Sequence, residues 1–426
     1  MAGFLGWYPD RTSLGSKRSV RQRHIVGATR QTLRGDGEVQ VYSDDVGRYS
    51  AGVKAPMFDE KEVEKATINA MHSNTRPPRD FIRRLVSTLR VFVSLGSLSL
   101  MLGSPILRAG ELDEVIDRIA PETKKWASVC RVIDGPDGPE FEWAHYRDSK
   151  DSVSFWPAST IKVYTAIAML ELTNELELPL QCGVIFESQR DGRWFIDSAR
   201  SVQEMISEVF RRSSNEDYTL LLRGVGIDRI NTHFLIPERG FPHSALMRGY
   251  VLHHPCLYKR EDPQRITFVT PDGRQVQREH TWSGVSYSQQ RGATVISETT
   301  GNCTSTFELT DCLRRLFYHD DISPQEQFRL SKTQRDFLIE GGDGWTGLRN
   351  RHAGAFAWDD AIEEVFPDAH HYHKGGQISN YTLDTAYIHD EKSGHRFFLT
   401  VAANSGNPET VREMAKAIAQ QIVTQP

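Results

Sequence analysis

The sequence predicts an α/β (α+β) fold, in which an antiparallel sheet is flanked by helices and an all-helical lobe is inserted between its strands. Runs rich in β-branched and aromatic residues occur at both ends of the region 111–426, whereas its middle has the apolar period of helices. The composition is that of a folded protein, because 38% of the 426 residues are hydrophobic and 10% are aromatic. We therefore expect one layer built from both ends of this domain, with a cleft where it meets the lobe.

The first elements of this domain are predicted to be a helix and a hairpin. In ELDEVIDRIA the apolar residues from Leu112 to Ile119 fall on one helical face. The runs WASVCRVID and EFEWAHY are joined by GPDGP, which is typical of a hairpin turn. The same apolar period then predicts three helices in the middle of the domain, over residues 159–172, 201–210 and 218–223.

The C-terminal part of the domain is predicted to return to the sheet. The pattern of TAYIHDEKSGHRFFLTVAA indicates a hairpin, and ETVREMAKAIAQQIV has the period of an amphipathic helix that closes the chain. A further hairpin is predicted in RITFVTPDGRQVQ. Strands from both ends of the domain would therefore belong to one sheet.

The first 110 residues are predicted to lie outside this domain. The run from Val91 to Leu107 has no charge, follows three arginines and is shorter than the roughly 20 apolar residues of a spanning helix, which is typical of an export signal. Because Met71 precedes it, residues 1–70 would be a non-native or disordered extension and residues 71–110 a signal peptide or membrane anchor. The alternative is a core or anchoring helix behind a basic arm. We expect an exported protein, periplasmic or extracellular.

Charge and cysteine content exclude several classes of partner. The formal net charge of −5 gives no basic field for nucleic acid, so no nucleic-acid partner is expected. Five cysteines without a Cys-x-x-Cys pair indicate neither a disulfide scaffold nor a zinc ribbon. The histidines at 370, 371 and 373 have no Cys or carboxylate partner at metal-ligand spacing, so we interpret them as polar strand residues. We expect no metal, no cofactor and a monomer.

Ser159 and Lys162 form the first candidate catalytic pair. They are three residues apart at the predicted start of a helix, so their side chains would share a face and approach hydrogen-bonding distance. A serine hydroxyl needs a base to become a nucleophile, and a desolvated lysine close to another cation can be neutral. The N-terminal N–H groups of the helix would also favour negative charge on the attacked carbonyl. This spacing alone occurs by chance in a chain of this length.

Two further motifs give the pair a context. Ser213-Ser214-Asn215 ends a helical stretch, and Lys374-Gly375-Gly376 begins a predicted strand. In chain order these motifs resemble the S-x-x-K, S-x-N and K-[ST]-G motifs of serine β-lactamases and penicillin-binding proteins. The flanking sequences FWPASTIKVYTAIAMLE, RRSSNEDYTLLLRGVG and SETTGNCTSTFELTDCLRRLF are similar to those of class A β-lactamases, and the resemblance extends over about residues 115–423.

The resemblance implies a role for each polar residue of the motifs. Ser159 would be the acylated nucleophile and Lys162 its proton acceptor. Ser213 would relay a proton to the leaving nitrogen, and Asn215 would bind the substrate amide. Lys374 would supply positive charge for a substrate carboxylate and lower the pKa of Lys162.

The backbone after Lys374 has an implied role as well. By the resemblance, the oxyanion hole would consist of the N–H groups of Ser159 and Gln377. Gly376 fits a strand that accepts an extended substrate along its edge, because a residue without a side chain permits close approach.

The sequence departs from the class A pattern at the deacylation step. The Ω-loop motif Glu-x-x-Leu-Asn, whose Glu activates the hydrolytic water, is absent. Glu298 matches the acidic residue that holds the Ω-loop, so Glu238 is left as a candidate base. Thr219 stands where class A enzymes usually have Asn. Acylation is therefore better supported than deacylation.

Two more departures concern the substrate-binding side. Gly375 lacks the hydroxyl that contacts the substrate carboxylate in the family. Ser213 and Lys374 are 161 residues apart, more than the family usually has, and the excess falls at about residues 243–297. The resemblance predicts a serine hydrolase that opens a β-lactam or related cyclic amide through an acyl-serine. The alternatives are a D-Ala-D-Ala peptidase or esterase acting on cell-wall peptide, and a non-catalytic β-lactam or peptide sensor.

Overall fold

A computed structural model describes residues 109–251, 262–292, 295, 301–349 and 358–424. The expectations for residues 1–70, for residues 71–108 and for Glu298 lie outside these ranges. Within them, no helix is both long enough and apolar enough to cross a bilayer.

The described residues form ten α-helices and eleven strands, and the helices are given first. The helices are α1 Ala109–Asp117, α2 Lys162–Glu175, α3 Val202–Arg212, α4 Asn215–Val225, α5 Ile227–Arg229, α6 Tyr287–Arg291, α7 Thr306–Phe317, α8 Lys332–Glu340, α9 Asp359–Glu363 and α10 Pro408–Val423. The strands are β1 Lys125–Gly135, β2 Gly138–His145, β3 Gly183–Arg190, β4 Arg193–Ser201, β5 Gln264–Val269, β6 Gln275–His280, β7 Gly341–Gly342, β8 Trp345–Thr346, β9 His370–Ile378, β10 Tyr381–His389 and β11 Arg396–Ala403.

The main sheet contains strands from both ends of the domain, as the sequence predicts. Its order is β2-β1-β11-β10-β9, and all its neighbours are antiparallel. Alternate residues of β1 point to opposite faces, so Val129 packs with α1, α9 and α10, whereas Cys130 packs with α2, α4 and α7. The sheet therefore lies between a layer of terminal helices and a second layer that contains α7 and the lobe. The predicted fold class is confirmed.

The lobe differs from the prediction because it is not all helical. It contains a second antiparallel sheet with the order β4-β3-β5-β6. Alternate residues of β3 are buried, including Val184 and Phe186, and the Asp191-Gly192 pair that joins β3 to β4 is typical of a two-residue hairpin. The predicted hairpin in RITFVTPDGRQVQ is confirmed as β5 and β6, and β5 pairs with β3.

The helix that follows the first motif begins later than predicted. Ser159 lies on a turn, and α2 starts at Lys162. Ala158 has a φ of 45°, which is outside the helical region, so the residues after it form short turns before regular α-helix begins. Ser159 therefore precedes the helix that carries Lys162.

The described cysteines are not bridged. Cys130, Cys182, Cys303 and Cys312 are buried thiols, and Cys256 lies outside the described residues. Cys303 and Cys312, nine residues apart, do not pair with each other.

Candidate active site

Ser159 is half-buried on the turn between the buried Ala158 and α2. Its hydroxyl makes no hydrogen bond to another residue in the described part of the chain, so it is open to an incoming group. The expected hydrogen bond between the side chains of Ser159 and Lys162 is not formed in this arrangement. The reason is that Ser159 precedes the helix and the Lys162 amine is directed at other acceptors.

Lys162 is fully buried in the first turn of α2, and its amine reaches the Ser-Ser-Asn turn. Its Nζ lies 2.7 Å from Asn215 Oδ1 and 3.2 Å from Ser213 Oγ, and it donates to the carbonyl oxygen of Ser213. Burial and then the charge of Lys374 hold the pKa of Lys162 well below its usual value. The two implied roles of Lys374 and Lys162 are thus physically compatible.

Lys374 approaches the same serine from β9. Its Nζ donates to Ser213 Oγ at 2.9 Å and to the carbonyl oxygen of Gly375 at 2.6 Å. Burial lowers the pKa of Lys374 to about 8, although the buried carboxylate of Asp384 opposes the shift. One serine hydroxyl therefore joins two buried amines.

All three partners of the Lys162 amine are oxygen atoms that accept from it: the Ser213 carbonyl, Ser213 Oγ and Asn215 Oδ1. Ser213 Oγ also accepts from the Lys374 amine. The arrangement forms a continuous path for a proton between Lys162 and Lys374 through Ser213.

The Ser-Ser-Asn motif lies where α3 ends and α4 begins. Ser213 is the left-handed residue that ends α3, with a φ of 55°. Ser214 caps α4, because its hydroxyl accepts from the Asp217 N–H at 3.1 Å. Asn215 is the first residue of α4 and is exposed on the cleft side of Lys162. The sharp reversal between two helices is what directs both Ser213 and Asn215 at one amine.

Gly376 brings the edge of the main sheet against the Ser159 turn. A Cβ at Gly376 would lie 2.7 Å from the Ser159 nitrogen, so one of the two segments would have to shift. The same Cβ would lie 3.0 Å from the Ala158 Cβ, which is a tight contact. The Gln377 side chain turns away and donates to the carbonyl oxygen of Gly406 at 3.0 Å. Gly376 therefore approaches this turn through its backbone alone.

Glu238 is not brought to this cluster. It is exposed on a 3₁₀ turn, Pro237–Arg239, and its neighbour Arg239 binds Glu171 in a two-contact ion pair. Glu171 is nine residues beyond Lys162 on α2, which corresponds to about 13 Å along a helix. The carboxylate that acts on Lys162 is instead Asp217, a buried residue of α4.

The histidines of β9 have protein partners. His373 Nδ1 lies 2.9 Å from Asp384 Oδ2 on the adjacent strand, and His370 Nε2 lies 3.3 Å from Glu391. Among the described residues, no group of three or more His, Cys, Asp or Glu side chains could hold a metal ion.

Sequence reasoning missed the aromatic wall of the site. The rings of Tyr218 and Tyr250 are 4.8 Å apart, and the Lys162 Nζ lies 5.8 and 5.9 Å from their centres. Tyr218 directly precedes Thr219 in a helix whose pattern was recognised, but Tyr250 lies in the long segment between motifs. The Gly249-Tyr250 pair carries no motif, so only the fold brings Tyr250 to the site.

Comparisons with known proteins found similar chains among solved structures. No family model matches the chain, and no curated protein matches it. Among solved structures, the chain is similar to a β-lactamase from Desulfarculus baarsii DSM 2075, with 15% identity over 75% of this chain and 99% of that one and a TM-score of 0.48. The chain is also similar to the chromosome-encoded β-lactamase of Vibrio parahaemolyticus, with 12% identity over 73% of this chain and 98% of that one and a TM-score of 0.47.

PBP-A is a third similar structure, with 15% identity over 74% of this chain and 96% of that one and a TM-score of 0.46. A representative of class A β-lactamase from Bacteroides cellulosilyticus DSM 14838 has 14% identity over 74% of this chain and 98% of that one, with a TM-score of 0.46. These are likenesses of fold, and the chemistry of this chain is argued from its own residues.

Proposed function

We propose that this protein is a serine hydrolase of the β-lactamase and penicillin-binding superfamily, which acts through an acyl group on Ser159. The observation that carries the proposal is the meeting of the three motifs at Ser213, whose hydroxyl lies within hydrogen-bonding distance of both Lys162 and Lys374. Lys162 and Lys374 are 51 and 161 residues away from Ser213 in the sequence, yet both amines reach its hydroxyl oxygen.

The contacts support a defined sequence of proton transfers. Burial and the charge of Lys374 lower the pKa of Lys162, so its amine would take the proton of Ser159 as the hydroxyl oxygen attacks the substrate carbonyl. The backbone at Gly376 and Gln377 lies beside the Ser159 amide, so two N–H groups there would stabilise the oxyanion. The Lys162 proton then passes through Ser213 to the leaving nitrogen, as the C–N bond breaks.

The substrate class follows from the same groups. A β-lactam or related cyclic amide suits a site that has one positive lysine, an exposed Asn215 amide and an open strand edge. Gly375 offers no hydroxyl for a substrate carboxylate, so Lys374 carries that contact alone. The protein would act as an exported monomer.

One observation favours a second candidate, a D-Ala-D-Ala peptidase or esterase that a β-lactam would trap. In the described ranges Asp217 is the carboxylate that acts on Lys162, and its Oδ2 accepts from the Ser214 hydroxyl, while Glu238 is exposed on a 3₁₀ turn. Both candidates share acylation and differ in the release of the acyl group.

Intact-protein mass spectrometry after incubation with benzylpenicillin tests acylation, and nitrocefin turnover tests release. We expect a penicilloyl adduct that is absent from Ser159→Ala and present in Ser154→Ala, which changes an exposed serine five residues away. Rapid turnover would support the β-lactamase, and a persistent adduct without turnover the peptidase. A folded protein that no β-lactam or activated ester acylates would contradict both and favour the sensor.

A further inference from the structure

Tyr250 contacts the turn that carries the candidate nucleophile. Its hydroxyl donates to the carbonyl oxygen of Ala158 at 2.8 Å, one residue before Ser159. Burial raises the pKa of Tyr250 to about 12, so the hydroxyl keeps its proton and remains a donor near neutral pH. None of the three motifs includes this residue.

The turn needs such support because Ala158 has an unfavourable backbone conformation. Its φ of 45° is in the left-handed region, which costs free energy for any residue with a Cβ. Ala158 has no polar side chain with which to stabilise itself. The hydrogen bond from Tyr250 therefore fixes the carbonyl of the strained residue and, with it, the direction in which Ser159 leaves the turn.

The ring of Tyr250 has a separate effect on Lys162. It packs 4.8 Å from the Tyr218 ring, and the Lys162 Nζ lies 5.8 and 5.9 Å from the centres of the Tyr218 and Tyr250 rings. Aromatic rings exclude water from an amine. The other charged groups that face Lys162 are Lys374 on β9 and Asp217 on α4.

The backbone around Tyr250 is held on α4, so the ring cannot easily move away. Thr219 Oγ1 accepts from the N–H of Tyr250 at 3.0 Å and from that of Val251 at 3.3 Å, while it donates to the Asn215 carbonyl at 2.8 Å. Tyr218 donates to the Arg248 carbonyl at 2.9 Å. The segment of residues 248–251 is thus attached to the same helix that carries Asn215.

We propose that Tyr250 is a positioning residue for the Ser159–Lys162 pair, whose hydroxyl fixes the turn before Ser159 and whose ring keeps water from the Lys162 amine. The proposal deepens the proposed function and rests on it for the rate of acylation. Its two parts are separable, because Tyr250→Phe removes the hydroxyl and retains the ring, whereas Tyr250→Leu removes both.

The first test compares Tyr250→Phe with wild type in the full chain. We expect acylation by benzylpenicillin to slow by about tenfold, the loss expected for one hydrogen bond, with no change in its pH profile. Amide hydrogen exchange of residues 158–160 should quicken. Tyr287→Phe is the matched control, because it removes another hydroxyl that is hydrogen-bonded, here to Asp228. Wild-type exchange and acylation in Tyr250→Phe would overturn the role of the hydroxyl.

The second test measures the ionisation of Lys162 directly. Acetic anhydride labels neutral amines, so the pH dependence of Lys162 acetylation, followed by peptide mass spectrometry, gives its pKa in resting protein. We expect Tyr250→Leu to move the midpoint to higher pH by about one unit, since water would reach the ammonium form, and Tyr250→Phe to leave it unchanged. An unchanged midpoint in Tyr250→Leu would overturn the role of the ring.

These readouts separate the two proposals. If wild-type protein forms no acyl adduct, the proposed function fails, while exchange at residues 158–160 and labelling of Lys162 still decide whether Tyr250 positions them. If wild type is acylated and neither Tyr250 variant changes exchange, labelling or rate, only the role of Tyr250 fails.

Discussion

At the scale of single residues, the site places two lysines in the protein interior, and within the described part of the chain neither amine has a direct carboxylate partner. Lys162 and Lys374 are 0% and 5% exposed, and their amines donate to oxygen atoms of serine, asparagine and backbone. Burial of an ammonium group without an ion pair is unfavourable, so both amines have a lowered pKa. The fold therefore gives up stability to hold two amines whose pKa values lie below the usual value of lysine.

We predict that Lys374→Met stabilises the fold at pH 7 and slows acylation. The pKa of Lys374 is lowered from 10.5 to about 8, so the unfolded chain binds more protons between these values and stability rises with pH across that window. Below pH 8 the wild type bears the full cost of the buried charge, which the variant lacks. Urea unfolding should show a gain of about 1 to 2 kcal/mol at pH 7 that becomes smaller at pH 10.

The control for this prediction is Lys332→Met, because Lys332 is an exposed lysine whose ion pair with Asp336 contributes little. Its unfolding free energy should stay close to that of wild type at both pH values. A loss of stability in Lys374→Met of equal size at pH 7 and pH 10 would show that packing and hydrogen bonding, rather than charge, dominate at Lys374.

At the scale of elements, the site depends on how closely β9 approaches the turn before α2. We predict that Gly376→Ala lowers the acylation rate by about 100-fold, because its Cβ would lie 2.7 Å from the Ser159 nitrogen and one of the two segments must move. Gly375→Ala is the matched control on the adjacent residue, since its Cβ would meet Asp384 Oδ2 at an ordinary 3.4 Å. Acylation rates measured by stopped-flow nitrocefin absorbance would check both. Equal rates in the two variants would contradict the argument.

The local sequence pattern was sufficient to predict the helices and strands that carry the motifs. It was not sufficient to predict the segments between the motifs. The β1–β2 and β10–β11 hairpins were predicted because their alternation and turn residues are local signals. The strand β3 was not predicted, although its buried residues, among them Val184 and Phe186, alternate with less buried ones. Tyr250 could not be predicted, since its position depends on contacts with Thr219 and Ala158, which are 31 and 92 residues away. Contacts between residues so far apart produce no periodic pattern of apolar residues in the sequence.

At the scale of the whole molecule, α7 joins the main sheet to the lobe. Thr310 Oγ1 donates to Thr400 Oγ1 of β11 at 2.7 Å, which fixes one side of the helix on the sheet. On the other side, Glu308 accepts from the His243 N–H at 2.7 Å and from the Ser244 hydroxyl. Ser244 in turn lies 2.7 Å from Thr304 Oγ1. Since Glu308 is 0% exposed, one buried carboxyl group holds the start of the long segment that continues to Tyr250.

We predict that Glu308→Gln removes a pH dependence of folding stability. Burial raises the pKa of Glu308 from 4.5 to about 8, so the native state binds more protons than the unfolded chain between these values and stability falls as pH rises through them. Gln has the same shape, can accept from the His243 N–H and donate to Ser244, and does not ionise. Relative to wild type, the variant should therefore gain about 1 to 3 kcal/mol in unfolding free energy between pH 5 and pH 8.

Urea unfolding at several pH values measures this gain, with Glu122→Gln as the control because Glu122 is exposed. A parallel pH dependence in wild type and Glu308→Gln would mean that Glu308 is already ionised at pH 5, and that the junction between sheet and lobe tolerates a buried charge.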